Sequence, residues 1–247
     1  MNSIISYHRP ATLDEAIGLL ARTDVTTTVL AGGTAVNTID LPANTEVVDL
    51  QTAVAAGISR SGDRVGYGAM TRLQDLIDHD DTPPLLTALA KREGPNTLRN
   101  ASTVGGTVAE GDPESELLAG LLVHEALVTV ADSSGSRDLA LEALLSDFSV
   151  LDRAVITNVS VAIGGATAAE RTGRTPADTS IVAAAGRIVA SGLRIALTGV
   201  AATPVLVNID SISSLEPPAD FRGTSEYRRQ LAEVLVQRVV DQLGGAA

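Results

Sequence analysis

Two glycine pairs, each followed by threonine, are the residues of this 247-residue chain whose chemistry can be stated first. One pair lies in Leu30-Ala31-Gly32-Gly33-Thr34-Ala35-Val36, at the end of a β-branched run, and the other in Thr103-Val104-Gly105-Gly106-Thr107. Paired glycines permit positive φ and close approach of the backbone to a ligand, and successive N–H groups in such a loop form an anion nest that needs no lysine. Either segment could hold a diphosphate, or be a tight turn that binds nothing. The acidic group Glu110, Asp112, Glu114 and Glu116 leads into a leucine-rich stretch beginning near Ser115. Carboxylates at a helix start are favoured by the macrodipole and ordinarily solvated. Glu116 has a rival role, because a carboxylate on the loop that carries Gly105-Gly106 could accept hydrogen bonds from sugar or ribityl hydroxyls. Arg171, Arg174 and Asp178 read as a solvated loop, or as a cationic group facing an electron-rich ring.

Composition excludes other chemistries. With no cysteine, the chain can form no disulfide, use no thiol nucleophile and supply no thiolate to an iron–sulfur cluster. His8, His79 and His124 stand apart from any His/Asp/Glu set at ligand spacing, so no metal site is expected. There is no Gly-x-Ser-x-Gly elbow and no Gly-x-x-x-x-Gly-Lys loop, and Gly66-Tyr67-Gly68 lacks the third glycine of a dinucleotide fingerprint. No residue is assigned as acid, base or nucleophile. The net charge of −12 speaks against nucleic acid as a partner. No apolar run reaches the roughly 20 residues of a bilayer span, and Met1 to His8 lacks a signal pattern, so a cytoplasmic protein is expected.

The elements that must position the glycine pairs can be read from periodicity. Thr12 and Glu15 have capping-box spacing before a helix with Leu13, Ala16, Ile17 and Leu20 on one face. Thr26 to Leu30 and Val47 to Leu50 read as strands, so about the first 50 residues form a small α/β unit. Arg64 to Ala69 is a short strand, Thr71 is a plausible cap for the next helix, and another helix follows Pro83-Pro84. Residues 94–114 show no sustained period, which marks them as an irregular, functional connection. Leu117, Leu118, Leu121 and Leu122 form a helix face, Leu127 to Val130 a strand before a turn at 132–135, and Val155 to Ile163 another strand. Gly164 to Asp178 reads as a polar connection and Ser180 to Val207 as antiparallel strands. Thr224 or Ser225 caps a last helix with Tyr227, Leu231, Val234, Leu235 and Val239 on one side, ended by Gly244-Gly245. The order is that of an α+β protein.

Taken together and in this order, the segments resemble the FAD-binding, or medium, subunit of molybdenum hydroxylases of the xanthine dehydrogenase and aerobic carbon monoxide dehydrogenase type. The likeness runs from Pro10-Ala11-Thr12-Leu13-Asp14-Glu15-Ala16 and Leu30 to Thr34 through Leu98-Arg99-Asn100, Thr103 to Gly106 and Asp112-Pro113 with Glu116. It continues at Arg174-Thr175-Pro176-Ala177-Asp178, Gly199-Val200-Ala201-Ala202-Thr203-Pro204 and Tyr227-Arg228-Arg229. The resemblance implies a two-part FAD-binding domain of the vanillyl-alcohol-oxidase (PCMH) type over 1–164, divided into 1–57 and 58–164, with a small C-terminal α/β domain over 165–247. It implies that the first glycine loop wraps the FAD diphosphate and that Thr103, Gly106 and Thr107 complete the phosphate and ribityl contacts. Glu116 would bind a sugar or ribityl hydroxyl, Ile156 would pack on the flavin or adenine, and Arg171 would lie near the flavin. Three positions depart from the family pattern. Thr107 stands where Asn is common, Glu116 where Asp is usual, and Arg171 where Lys is common.

The implied function is electron transfer. A molybdenum-cofactor large subunit oxidises a small molecule, and a small subunit with [2Fe–2S] clusters passes electrons to FAD, which delivers them to NAD, a quinone or oxygen. Two rivals are a flavin-free structural or assembly subunit of the same fold and a stand-alone FAD oxidoreductase.

Overall fold

The computed structural model describes residues 4–38, 40–175 and 178–244. Pro176, Ala177 and Gly245 of the segments above lie outside the described residues.

Three sheets follow one another along the chain. β1 (Ile4–His8), α1 (Leu13–Leu20), β2 (Thr26–Leu30) and β3 (Thr45–Asp49) make a parallel three-stranded sheet in the order β1-β3-β2. The predicted capping of α1 is present: Glu15 N–H donates to Thr12 Oγ1 at 3.2 Å, and the Glu15 carboxylate accepts from Ala11 N–H at 2.7 Å. β4 (Ile58–Ser61) and β5 (Arg64–Gly68) begin a second sheet, and five helices come next. They are α2 (Leu73–Asp78), α3 (Pro84–Ala90), α4 (Asn96–Arg99), α5 (Val104–Glu110) and α6 (Glu116–Val123). β6 (Leu127–Asp132), β7 (Gly135–Ala140), α7 (Leu141–Ser146) and β8 (Val155–Ala162) complete an antiparallel sheet in the order β4-β5-β8-β6-β7. The third sheet, β12-β11-β10-β9, comprises β9 (Thr167–Thr172), β10 (Val182–Val189), β11 (Gly192–Thr198) and β12 (Val205–Val207), followed by α8 (Ser225–Gly244).

α6 is the element on which the later sheets converge, and all eight of its residues are buried. One side meets α3, where the absence of a side chain at Gly120 leaves room for Leu86 and Leu89; a Cβ there would lie 2.8 and 2.7 Å from their methyl groups. Another side meets the third sheet at the paired residues Ala185 and Ala196, whose small side chains let helix and strands approach. Strand alternation sends their neighbours Ala184 and Leu197 to the opposite face, against Val236 and Val239 of α8. The third sheet is thus held between two helices.

Several sequence expectations change. Residues 94–114 are not an irregular connection; α4 and α5 lie there, too short and glycine-rich to show a period. Thr71 does not cap α2: Arg72 holds that position, and the Thr71 hydroxyl instead bonds the N–H and carbonyl of Gly57, each at 2.9 Å. The supposed polar connection from Gly164 contains β9, whose Glu170 and Arg171 mask its strand pattern. α8 buries Arg228, Ala232, Leu235, Val236, Val239 and Leu243, while Tyr227 and Val234 face outward, because the stripe is set by the approach to β10. No helix among the described residues is long and apolar enough to cross a membrane.

A half-buried carboxylate from the chain after α3 sits at the start of α6. Glu93 accepts from Ser115 Oγ at 3.0 Å and from Leu117 N–H at 2.8 Å, while Ser115 Oγ accepts from Leu118 N–H at 3.1 Å. Burial outweighs these bonds and pushes the Glu93 carboxyl up from 4.5 to about 7. A group whose pKa is raised by folding stabilises the protein fully below its unfolded value, and this contribution is lost as pH rises through the folded value. Between pH 4.5 and 7 the Glu93 contribution should therefore fall, by at most about 3 kcal/mol. Urea denaturation of wild type and Glu93→Gln across that interval should show a smaller loss in the variant.

Candidate functional site

The two glycine segments are brought together, but they do different work. At Gly32 the first loop lies so close to the chain after α4 that a Cβ would stand 1.9 Å from the Ala101 carbonyl oxygen. Next to this contact, Ser102 Oγ donates to Thr34 Oγ1 at 3.1 Å. Gly33 has φ +77°, in the left-handed region that glycine alone occupies without strain. Among the described residues, the N–H groups of Gly32, Gly33, Thr34 and Ala35 donate to no acceptor of the chain. They form a row of free donors beyond the end of β2.

The second pair is not a loop. Thr103 caps α5, accepting from Gly106 N–H at 3.1 Å, and Val104, Gly105 and Thr107 donate to Thr71, Ala69 and Thr103 carbonyls at 2.9 Å each. The first N–H groups of α5 are therefore already used, and this segment offers no anion nest. Its glycines serve contact instead, since a Cβ on Gly105 would lie 2.6 Å from Ala69 Cβ. The Thr107 hydroxyl donates to the Thr103 carbonyl at 3.1 Å.

Between these segments lies a cavity of about 480 Å³. The first loop from Ala31 to Val36 lines one side, Thr103, Gly106 and Thr107 of α5 another, and Ile156 of β8 a third. Leu30, Glu116 and Arg171 are not among the lining residues. Leu151, Ala154 and Val155 line it from the approach to β8, and Leu50, Ala69 and Met70 from the ends of β3 and β5. None of these six carries a local sequence signal, because each reaches the cavity only through the tertiary packing of the segment it lies in. Glu110, read from sequence as a helix-start carboxylate, lies at the end of α5 and also lines the cavity.

Glu116 is 5% exposed and both its oxygens are engaged. Oε2 pairs with Arg92 Nη1 at 2.7 Å and Oε1 with Arg171 Nε at 2.9 Å. The Arg171 Nη2 group also donates to the Asp178 carbonyl. This joins the start of α6, the end of α3 and β9, so the Glu116 carboxylate faces two guanidinium groups in the structure. Glu114, expected to be solvated, pairs with Arg222, while Asp220 pairs with Arg228 at 2.7 Å. Arg228 Nη1 then donates to the carbonyls of Ile181 and Gly199 at 3.0 and 2.9 Å. Two of the four acidic residues, Glu114 and Glu116, thus anchor to residues far along the chain, Glu116 to β9 and Glu114 to the segment before α8.

His124 is buried, with Nδ1 2.7 Å from the Ala162 carbonyl oxygen. Burial pushes its imidazole down to about 4, so it is neutral at pH 7 and donates through Nδ1.

A row of free N–H donors beside an apolar cavity suits a diphosphate joined to planar rings. The family model described as the FAD binding domain in molybdopterin dehydrogenase matches residues 3–161. The chain belongs to that family. The carbon monoxide dehydrogenase medium chain of Afipia carboxidovorans is 28% identical over 274 residues, spanning 96% of this chain and 95% of its own length. The glyceraldehyde dehydrogenase medium chain of Sulfolobus acidocaldarius is 24% identical over 274 residues, spanning 96% of this chain and 98% of its own length. Among solved structures, carbon monoxide dehydrogenase from Hydrogenophaga pseudoflava lacking the Mo-pyranopterin moiety superposes with a TM-score of 0.88 at 26% identity, over 99% of each chain. The fold is thus the expected FAD-binding one with its small C-terminal domain, FAD is the cofactor, and the chain is an oxidoreductase subunit of the molybdenum hydroxylase family.

Gly32→Ala should force apart the two backbones that meet at the Ala101 carbonyl, as overpacked sites lose roughly 1–3 kcal/mol. Thermal denaturation should show a Tm several degrees below wild type, and an unchanged Tm would mean the two segments do not meet as described.

Proposed function

We propose that the 480 Å³ cavity is the FAD site and that the chain is the electron-transferring medium subunit of a molybdenum hydroxylase complex. The free N–H groups of Gly32, Gly33, Thr34 and Ala35 are the observation that carries this reading. Among the described residues no lysine or arginine lines the cavity, so main-chain donors hold the diphosphate charge. Leu151, Ala154 and Ile156 cover a ring face and keep water from it. Thr103, Gly106 and Thr107 form the opposite wall, where the missing side chain of Gly106 lets the cofactor approach.

When bound, FAD supplies the ability to take electrons one at a time and release them as a pair. The chain has no cysteine with which to hold a cluster. Electrons therefore come from [2Fe–2S] clusters on a small partner subunit, and substrate oxidation takes place on a large subunit with the molybdenum cofactor. NAD, a quinone or oxygen accepts them. We assign Glu116 and Arg171, together with Arg92, to holding β9 on the start of α6 and so keeping the C-terminal sheet in place. The boundary between the FAD-binding and C-terminal domains falls between residues 164 and 165.

Purification with co-purifying subunits should yield a flavin spectrum and release FAD on denaturation. In Gly33→Val, a β-branched residue at φ +77° distorts the loop and fills the space above it, so flavin content should fall to near zero while the subunits still co-purify. Unchanged flavin stoichiometry in this variant, or a colourless wild-type complex, would rule the site out.

A further inference from the structure

Among the described residues, Glu110 is the only ionisable side chain lining the cavity. Every other lining residue is apolar, a glycine or a threonine. A carboxylate here is not explained by diphosphate binding, which it opposes. It also has no structural role of the kind that Glu114 and Glu116 have, since no ion pair holds it among the described residues.

Its position along α5 indicates what it faces. Thr34 and Ser102 fasten the diphosphate loop to the chain just before α5. Glu110 closes the same helix six residues on from its start at Val104, or about 9 Å along the axis. At that end Gly111, with φ +61°, turns the chain so tightly against Phe148 that a Cβ would meet its ring at 2.3 Å. Phe148 opens the turn that runs to Leu151, so Glu110 sits beside the apolar wall formed by Leu151, Ala154 and Ile156. Glu110 therefore lies at the opposite end of α5 from the Thr103 cap, next to the segment that opens with Phe148. An ionised carboxylate is an acceptor only, and FAD offers it hydroxyl and ring N–H donors outside the diphosphate.

We propose that Glu110 is a specificity-determining contact to FAD, accepting a hydrogen bond from a hydroxyl or N–H donor of the cofactor half that lies against the Leu151–Ile156 wall. The inference rests on the cavity being the FAD site. A hydrogen bond to a charged acceptor is stronger than one between neutral groups. The contact should therefore strengthen binding. Asp112, two residues further on, is the charged group that acts on Glu110, and Arg222 in turn acts on Asp112. The remaining wall segments contribute uncharged lining residues. Glu110 is an exposed residue at the cavity edge, and partial desolvation there together with Asp112 holds its carboxyl above its ordinary range. Its protonation on acidification should then remove the acceptor.

The test is FAD titration of the deflavinated complex by fluorescence quenching, for wild type, Glu110→Gln and Glu110→Ala, with FMN and ADP as half-cofactor probes. Weakening of FAD binding on the order of tenfold in Glu110→Gln, and more in Glu110→Ala, is expected. The loss should appear for only one of the two halves, FMN identifying the flavin–ribityl part and ADP the adenosine part. Wild-type affinity should fall as pH is lowered through the Glu110 titration, with a flatter profile in Glu110→Gln. Unchanged or tighter FAD binding in Glu110→Gln would overturn the inference while leaving the site reading intact. Retention of FAD by Gly33→Val would overturn both.

Discussion

Everything at the site depends on one backbone contact, the approach of Gly32 to the Ala101 carbonyl at a distance that leaves no room for a Cβ. It joins a loop leaving a parallel sheet to the chain between two short helices that belong to a separate, antiparallel sheet. Without it, the free N–H groups of the first loop would face solvent and α5 would have no cavity to line. The Ser102–Thr34 hydrogen bond sets the register of the seam. Close backbone packing of this kind tolerates little adjustment, because neither partner is the flexible end of a side chain.

A second level of organisation holds the C-terminal sheet on α6. The helix is buried all round, which a short apolar segment achieves only when other elements cover every side. Ala185 and Ala196 supply the flat surface on one face. At its start, Glu116 between Arg92 and Arg171, and Glu114 with Arg222, tie the helix to residues far along the chain. Such partly buried pairs contribute more to fixing one arrangement than to net stability. They also leave Glu110 as the single acidic residue of that run which lines the cavity.

Much of the scaffold was legible from sequence because its signals are local. The Thr12–Glu15 cap, the β-branched run before Gly32, the leucine face of α6 and the turn at 132–135 each depend on neighbours within a few residues. The region from Gly94 to Glu114 was not legible, because α4 and α5 span four and seven residues, too few for a helical period to emerge among glycines and prolines. The inward stripe of α8 was misread for a related reason. Several apolar stripes fit a 20-residue helix, and only the strands beneath it select one.

By itself, the sequence determined that a cysteine-free, acidic chain with two Gly-Gly-Thr segments in collinear order belongs with FAD-binding subunits, since residue identity and order survive without coordinates. Tertiary structure decided the division of labour. The two glycine segments look alike as text, yet one presents unused N–H groups and the other has spent them inside a capped helix. Hydrogen-bond saturation is a property of the folded neighbourhood. So is the fate of the acidic run, where Glu114 and Glu116 meet arginines from distant segments and Glu110 meets none among the described residues.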